Sequence, residues 1–119
     1  MGQHNEFGRL GEQLAVDFLI ESGYKIHARN YRFQNAEIDV LAEKDNELCV
    51  VEVKSRNRGF FEDISMVISK KKIKLLTLAA NQYVNDNNLD VEVRFDVITV
   101  VKNREKFKVE HLKNAFFYF

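Results

Sequence analysis

Asp39, Glu52 and Lys54 are the residues whose types and spacing could do chemistry: two acids and a lysine in neighbouring strand-like segments, Glu37-Ile38-Asp39 and Val51-Glu52-Val53-Lys54. Between the segments lies Lys44-Asp45-Asn46-Glu47, whose central pair has the polar chemistry of a two-residue hairpin turn. A turn there places Asp39 opposite Glu52 and Glu37 opposite Lys54. Because strand side chains alternate, all four would project from one face of the sheet. Opposed side chains have Cβ atoms roughly 4.5 to 5.5 Å apart, where two carboxylates repel each other. Either one of them holds a proton or a cation sits between them, and a hard divalent ion with oxygen ligands, such as Mg²⁺ or Mn²⁺, suits the pair. An ion held by Asp39 and Glu52 would polarise a phosphoryl oxygen and acidify a water. Lys54 could orient that water or neutralise charge developing at phosphorus. Those are the parts of phosphodiester hydrolysis. The same spacing also fits solvated acids on the open face of an antiparallel sheet, with Glu37 and Lys54 as an ordinary cross-strand ion pair. Spacing does not separate the two readings.

The elements that must position these residues are visible in the hydrophobic pattern. Phe7, Leu10, Leu14 and Phe18 recur at three and four between Glu6 and Ser22, the stripe of a helix on a core, and Gly23 stops it. Tyr24, Ile26 and Ala28 alternate, as do the residues from Glu37 to Glu43, which predicts two strands. Leu48 to Lys54 is the next strand, and its Val50, Val51 and Val53 set Glu52 and Lys54 in an otherwise apolar run, where charges need partners. Arg56 to Ser65, with Gly59 and Phe60-Phe61, reads as a loop. Ile73, Leu76, Ala80, Tyr83 and Val84 keep helical spacing up to Asn85–Asn88, Val91 to Val101 is β-rich, and Phe107 to Glu110 predicts a short last strand. The order αβββαββ implies a mixed central sheet flanked by helices, an α/β fold.

The 119 residues, 45% of them hydrophobic, fit one domain spanning 1–119, since about 100 to 150 residues serve one core. Eighteen Lys and Arg balance eighteen Asp and Glu, so the chain as a whole is no general polyanion binder. Charge is nevertheless segregated: Lys54, Arg56, Arg58, Lys70, Lys71, Lys72 and Lys74 face only Glu62 and Asp63 over the same stretch, with Arg29 and Arg32 before the acidic strand. Basic residues beside an acidic metal site suit a nucleic-acid hydrolase, although Lys70–Lys74 also fits the solvated start of a helix. Phe60 and Phe61 could stack on bases or anchor a loop. A lone Cys49, predicted to alternate away from Glu52, reads as a small buried hydrophobe, and no apolar run approaches the roughly 18 residues of a membrane span. The expected location is the cytoplasm. The terminal Phe116-Phe117-Tyr118-Phe119 packs on the core or forms an apolar patch that would support a homodimer.

Gly8-x-x-Gly11-Glu12, Gly23-Tyr24, Arg29-Asn30-Tyr31-Arg32, Glu37-Ile38-Asp39, Val51-Glu52-Val53-Lys54-Ser55-Arg56, Arg94-Phe95-Asp96 and Glu110-His111 occur in order from Gly8 to Phe116. This series resembles the signature of the YraN-like family, which is similar in pattern to the PD-(D/E)xK nucleases, a superfamily including Holliday-junction resolvases and restriction endonucleases. The resemblance implies a restriction-endonuclease-like fold, Asp39 and Glu52 as metal ligands, Lys54 as the catalytic lysine and Glu12 as a further acidic site residue. It also implies DNA as partner, with branched or damaged DNA among the candidates. One departure is Asn35-Ala36, where the family has Gly before the Glu of Glu-Ile-Asp. A non-catalytic nucleic-acid-binding module and a protein-interaction domain using the aromatic C-terminus are the competing expectations. His111 matches the pattern and has no assigned role in catalysis.

Overall fold

The structure is a computed structural model that describes residues 6–57 and 68–115. The expectations for Arg58, Gly59, Phe60, Phe61 and the terminal Phe116–Phe119 fall outside the described residues. Helix α1 spans Glu6–Glu21, and strands β1 (Lys25–Phe33), β2 (Ala36–Lys44) and β3 (Glu47–Asn57) follow it. Helix α2 (Lys70–Asp86) then leads to strands β4 (Glu92–Asn103) and β5 (Lys106–Leu112). The five strands form one sheet in the order β1-β2-β3-β4-β5. Every neighbouring pair is antiparallel except β3 and β4, which run parallel. A parallel pair needs a long crossover, and α2 lies in it. The α/β expectation and its element order are met.

The two helices cover opposite faces. Ala15, Val16 and Leu19 of α1 pack with Val40, Ala42, Cys49, Val51, Ile98 and Val100. Leu76, Ala79 and Ala80 of α2 pack with Ile38, Leu41, Leu48, Val50 and Phe95 on the other side. Since both faces are covered, the central strand β3 reads as a nearly unbroken apolar run rather than an alternation. Among the described residues no helix is long and apolar enough to cross a membrane.

Three details differ from the sequence expectations. The buried stripe of α1 is Gly11, Ala15, Val16 and Leu19, while Leu10 of the predicted stripe is 42% exposed. The helix turns its small residues to the sheet because it lies so close: a Cβ on Gly11 would stand 2.0 Å from Ser55 Oγ. Second, β3 continues to Asn57, so Arg56 stands on a strand and not in a loop, because the parallel ladder with β4 runs on through Arg56↔Val101 and Asn57↔Lys102. Third, Ile26 and Ala28 do not share a face. The β1–β2 register shifts at this point, so Ile26 joins the α1-side core and Ala28 the α2-side core. His27, at the irregularity, ties the sheet to α2, with Nδ1 3.0 Å from Tyr83 Oη and Nε2 2.8 Å from Glu43 Oε1.

Helix α1 ends as Gly23 requires. At φ +94° this residue permits the reverse turn in which the Tyr24 N–H donates to Leu19 O at 2.9 Å. The β2–β3 turn also follows its sequence. Asp45 and Asn46 take φ of 53° and 64°, the left-handed pair that a twisted two-residue hairpin demands. The resulting register runs from Lys44↔Glu47 to Val40↔Val51.

Candidate active site

Beyond Val40↔Val51 the β2–β3 ladder stops, one position short of Asp39 and Glu52. The Val53 N–H is instead taken by Asp39 Oδ2 at 2.8 Å, so the carboxylate stands in for a backbone acceptor where the strands part. Alternation also breaks here. Ile38 packs on the α2 side and Val40 on the α1 side although they are two positions apart, a spacing that should place them on one face. Their neighbours on β1 behave likewise: Ala28 and Tyr31 both pack toward α2, with Asn30 between them at φ 54°. The expectation that Glu37, Asp39, Glu52 and Lys54 share one face is therefore corrected. Asp39 and Glu37 line a cleft of about 440 Å³ with Gly8, Arg9 and Glu12 of α1 and Val53 and Ser55 of β3. Glu52 meets Lys72 of α2. The strictly period-two reading failed because Asn30 and Asp39 sit at a local break in the pleat.

Glu52 is 4% exposed and carries two ammonium partners on one oxygen. Its Oε2 accepts from Lys72 Nζ at 2.5 Å and lies 3.3 Å from Lys54 Nζ. Lys54 thus pairs with Glu52, not with Glu37, and the described ion pair of Glu37 is to Arg32 at 3.5 Å. Glu12 of α1 reaches over the sheet to β1. Its Oε1 lies 3.2 Å from Arg29 Nη2. The Asn30 amide lies between the two outer acids; with its nitrogen turned toward them it donates to Glu12 Oε2 at 3.1 Å and Glu37 Oε2 at 3.3 Å. Among the predicted basic residues, Arg29 is engaged by Glu12 and Gln13, Arg56 donates to Ser55 O, and Lys70 and Lys71 are exposed in the first turn of α2. Asn30 and Arg9 were missed in the sequence. The first stands within a quoted motif, where its positive φ has no one-dimensional signature, and the second is one of many helix arginines.

Burial pushes the Asp39 carboxyl up from its ordinary 3.8 to about 7, and the charge of Glu52 adds to the effect. The Val53 N–H and Lys72 pull the other way without reversing it. Because the folded pKa exceeds the unfolded one, both states are protonated below about pH 4. The native state then loses stability as pH rises through the window from about 4 to 7 and levels off above it. Asp39→Asn keeps an oxygen for Val53 and removes the titration. In chelator-containing buffer it is expected to be more stable than wild type at pH 8, by about 1 to 3 kcal/mol, with the advantage gone at pH 4. Urea denaturation across pH checks this; a constant difference at all pH values would refute it.

The residues fit a hydrated divalent ion. Asp39 and Glu52 are hard oxygen donors that disfavour each other's charge, and Glu52 already draws two cations. Among the described residues no group of three or more His, Cys, Asp and Glu is arranged to cage a metal. Mg²⁺ does not need one, since it is commonly held by one or two carboxylates and keeps several waters.

Two of the other quoted motifs meet elsewhere. Asp96, fully buried, accepts from Arg94 Nε at 3.0 Å, Arg94 Nη2 at 2.9 Å and the Asn114 N–H at 3.0 Å, and His111 Nε2 lies at 2.7 Å. Burial raises this carboxyl, but the bonds from His111, Arg94 and Asn114 outweigh it and hold the group below 3.8. Arg94 also reaches Glu47 and Tyr24, so the cluster binds β3, β4 and β5 to the start of β1. His111 is structural here. Cys49 belongs to the α1-side core, and burial pushes its thiol up to about 12, so it is no nucleophile at neutral pH.

Comparison with known proteins gives a consistent result. Residues 11–100 match the family model described as "Uncharacterised protein family UPF0102". The chain is 47% identical over 119 residues to a UPF0102 protein of Flavobacterium psychrophilum and 45% identical over 119 residues to one of Christiangramia forsetii, covering all of each chain. A UPF0102 protein of Bacteroides thetaiotaomicron is 43% identical over 117 residues, which is 98% of this chain and 97% of that one.

Proposed function

The chain belongs to the uncharacterised protein family UPF0102, the YraN-like family, and within it we propose that this protein is a divalent-metal-dependent endonuclease acting on DNA. One observation carries the reading. Where β2 and β3 part, a nearly buried Glu52 with Lys54 and Lys72 gathered on it lies near enough to Asp39 for its charge to help raise the Asp39 pKa. Buried charge of this kind, with Asp39 lining an open cleft, suits a site that takes a charged ligand.

Asp39 and Glu52 would hold Mg²⁺ or Mn²⁺, and the ion when bound supplies Lewis-acid polarisation of a phosphoryl oxygen and acidification of a water. Lys54, 21% exposed at its side chain and fixed by Glu52, offers a proton donor and a positive charge to the oxygens that gain charge in the transition state. Arg32, with its side chain 76% exposed at the rim of the 440 Å³ cleft, and Lys70 and Lys71 at the start of α2 supply flanking phosphate contacts. Glu12 and Asn30 wall the cleft, and Glu12 holds Arg29 in place. The similarity of the motif order to PD-(D/E)xK nucleases supports the same assignment and favours branched or damaged DNA. Its expected place of action is the cytoplasm.

A second reading, a nucleic-acid-binding module without turnover, is favoured by the Lys72 ammonium lying on Glu52. Incubation of the protein with single-stranded, duplex and branched DNA, in Mg²⁺, Mn²⁺ or chelator, separates the two. The proposal expects metal-dependent cleavage that Asp39→Ala and Lys54→Ala remove. Metal-independent binding with no cleavage of any substrate would establish the second reading instead.

A further inference from the structure

We infer that Lys72 is an internal competitor for the divalent ion: its ammonium occupies the Glu52 oxygen that an ion would use, and it must leave before the ion can bind. The inference rests on the reading of Asp39 and Glu52 as metal ligands. Lys72 is not part of the Val51-Glu52-Val53-Lys54 strand motif; it comes from α2, twenty residues along the chain, and makes the shorter of the two contacts on Glu52 Oε2, 2.5 Å against 3.3 Å for Lys54.

Charge and position both mark Lys72 as the displaceable cation. With Asp39 and Glu52 ionised, Lys54 and Lys72 already balance the cluster, so a divalent ion brings excess positive charge that the more exposed lysine relieves by leaving. Lys54 projects from the central strand with 21% of its side chain exposed, whereas 39% of the Lys72 side chain is exposed. Lys72 also stands in the first turn of α2, a turn that follows the N-cap Ser69 and holds no acid. An ammonium at the positive end of a helix dipole, beside Lys70 and Lys71, is unfavourable by itself, and Glu52 is the contact that offsets this. Next to it a groove of about 220 Å³, lined by Ser69, Lys71, Lys72 and Glu37 among others, gives the released side chain somewhere to go. In that position it faces solvent beside Lys71, free to take a phosphate. Ion binding and polyanion binding then favour each other, and the coupling is reciprocal.

Calorimetric titration of Mn²⁺ into wild type, Lys72→Met and Lys106→Met, the last an exposed lysine at the start of β5, tests the competition without any reaction being followed. Methionine keeps most of the aliphatic stem and loses the charge. Removing the competing cation is expected to tighten Mn²⁺ binding about tenfold, and Lys106→Met should stay within about twofold of wild type. Thermal melting of the three metal-free proteins confirms that each is folded. If wild type binds Mn²⁺ and Lys72→Met binds it equally or more weakly, the competition is refuted while the metal site stands. If none of the three binds Mn²⁺, the inference and the metal site fall together.

Discussion

Glu52→Gln is expected to abolish metal-supported cleavage, lowering the rate by on the order of 10³-fold or more, because it removes one of the two charged ligands and with it several kcal/mol of transition-state stabilisation. The substitution is close to isosteric, and the amide oxygen still accepts from Lys72 and Lys54, which sit at 2.5 and 3.3 Å from Glu52 Oε2. Folding should therefore persist, as circular dichroism and melting would verify. DNA binding in chelator should survive or tighten, since one negative charge has gone from the site while Lys70, Lys71 and Arg32 remain. A folded Glu52→Gln protein that cleaves at the wild-type rate would refute the assignment of Glu52, and any residual cleavage at wild-type level in chelator would point to a contaminant.

Asp96→Ala is expected to be the most damaging single change to the fold, costing about 3 to 5 kcal/mol, as breaking a buried ion pair commonly does. Asp96 is fully buried, and the side chains of Arg94 and His111 around it are 10% and 6% exposed. Glu47 still meets Arg94, but the alanine leaves the guanidinium face, the His111 ring and the Asn114 N–H without their acceptor. Such a loss is a large fraction of the roughly 5 to 15 kcal/mol that holds a typical domain together. Urea denaturation near pH 7 measures it. The same carboxyl predicts acid sensitivity. Its folded pKa lies below 3.8, so its contribution is complete above that pH and is lost as pH falls through the folded value. Wild type and Asp96→Ala should consequently converge in stability in strong acid, and parallel curves down to pH 2 would contradict the assignment.

How much of this was legible in the chain depends on the range of the interaction. Asp45-Asn46 announced its turn because both residues tolerate a left-handed backbone, and that turn fixed the β2–β3 register as far as Val40↔Val51. Gly23 announced the end of α1 for the same kind of reason. The apolar periods located both helices and all five strands. They did not identify the buried face of α1, because a count of large residues overlooks Gly11, where the absence of a side chain is what permits contact with Ser55. Nor did they show that Arg56 continues β3, since the parallel ladder with β4 is formed by residues far along the chain.

The acids show the same division. Glu37-Ile38-Asp39 and Val51-Glu52-Val53-Lys54 could be selected from sequence because residue type and turn register are local properties. The faces they occupy could not, because Asn30 and the parting of β2 from β3 interrupt the alternation beside Asp39. The family motifs also gave no sign that Arg94-Phe95-Asp96 and Glu110-His111 meet in one buried cluster.

Sequence alone therefore determined the elements, their order, the hairpin that brings Asp39 toward Glu52, and the chemical types available there. Tertiary structure decided which charges meet: Lys72 on Glu52, Glu12 on Arg29, His111 on Asp96. Periodicity and turn chemistry act within a few residues and are written in the chain. Pairing of buried charges depends on how helices seat on the two faces of the sheet and on how much water they exclude, and both are set only when distant segments pack.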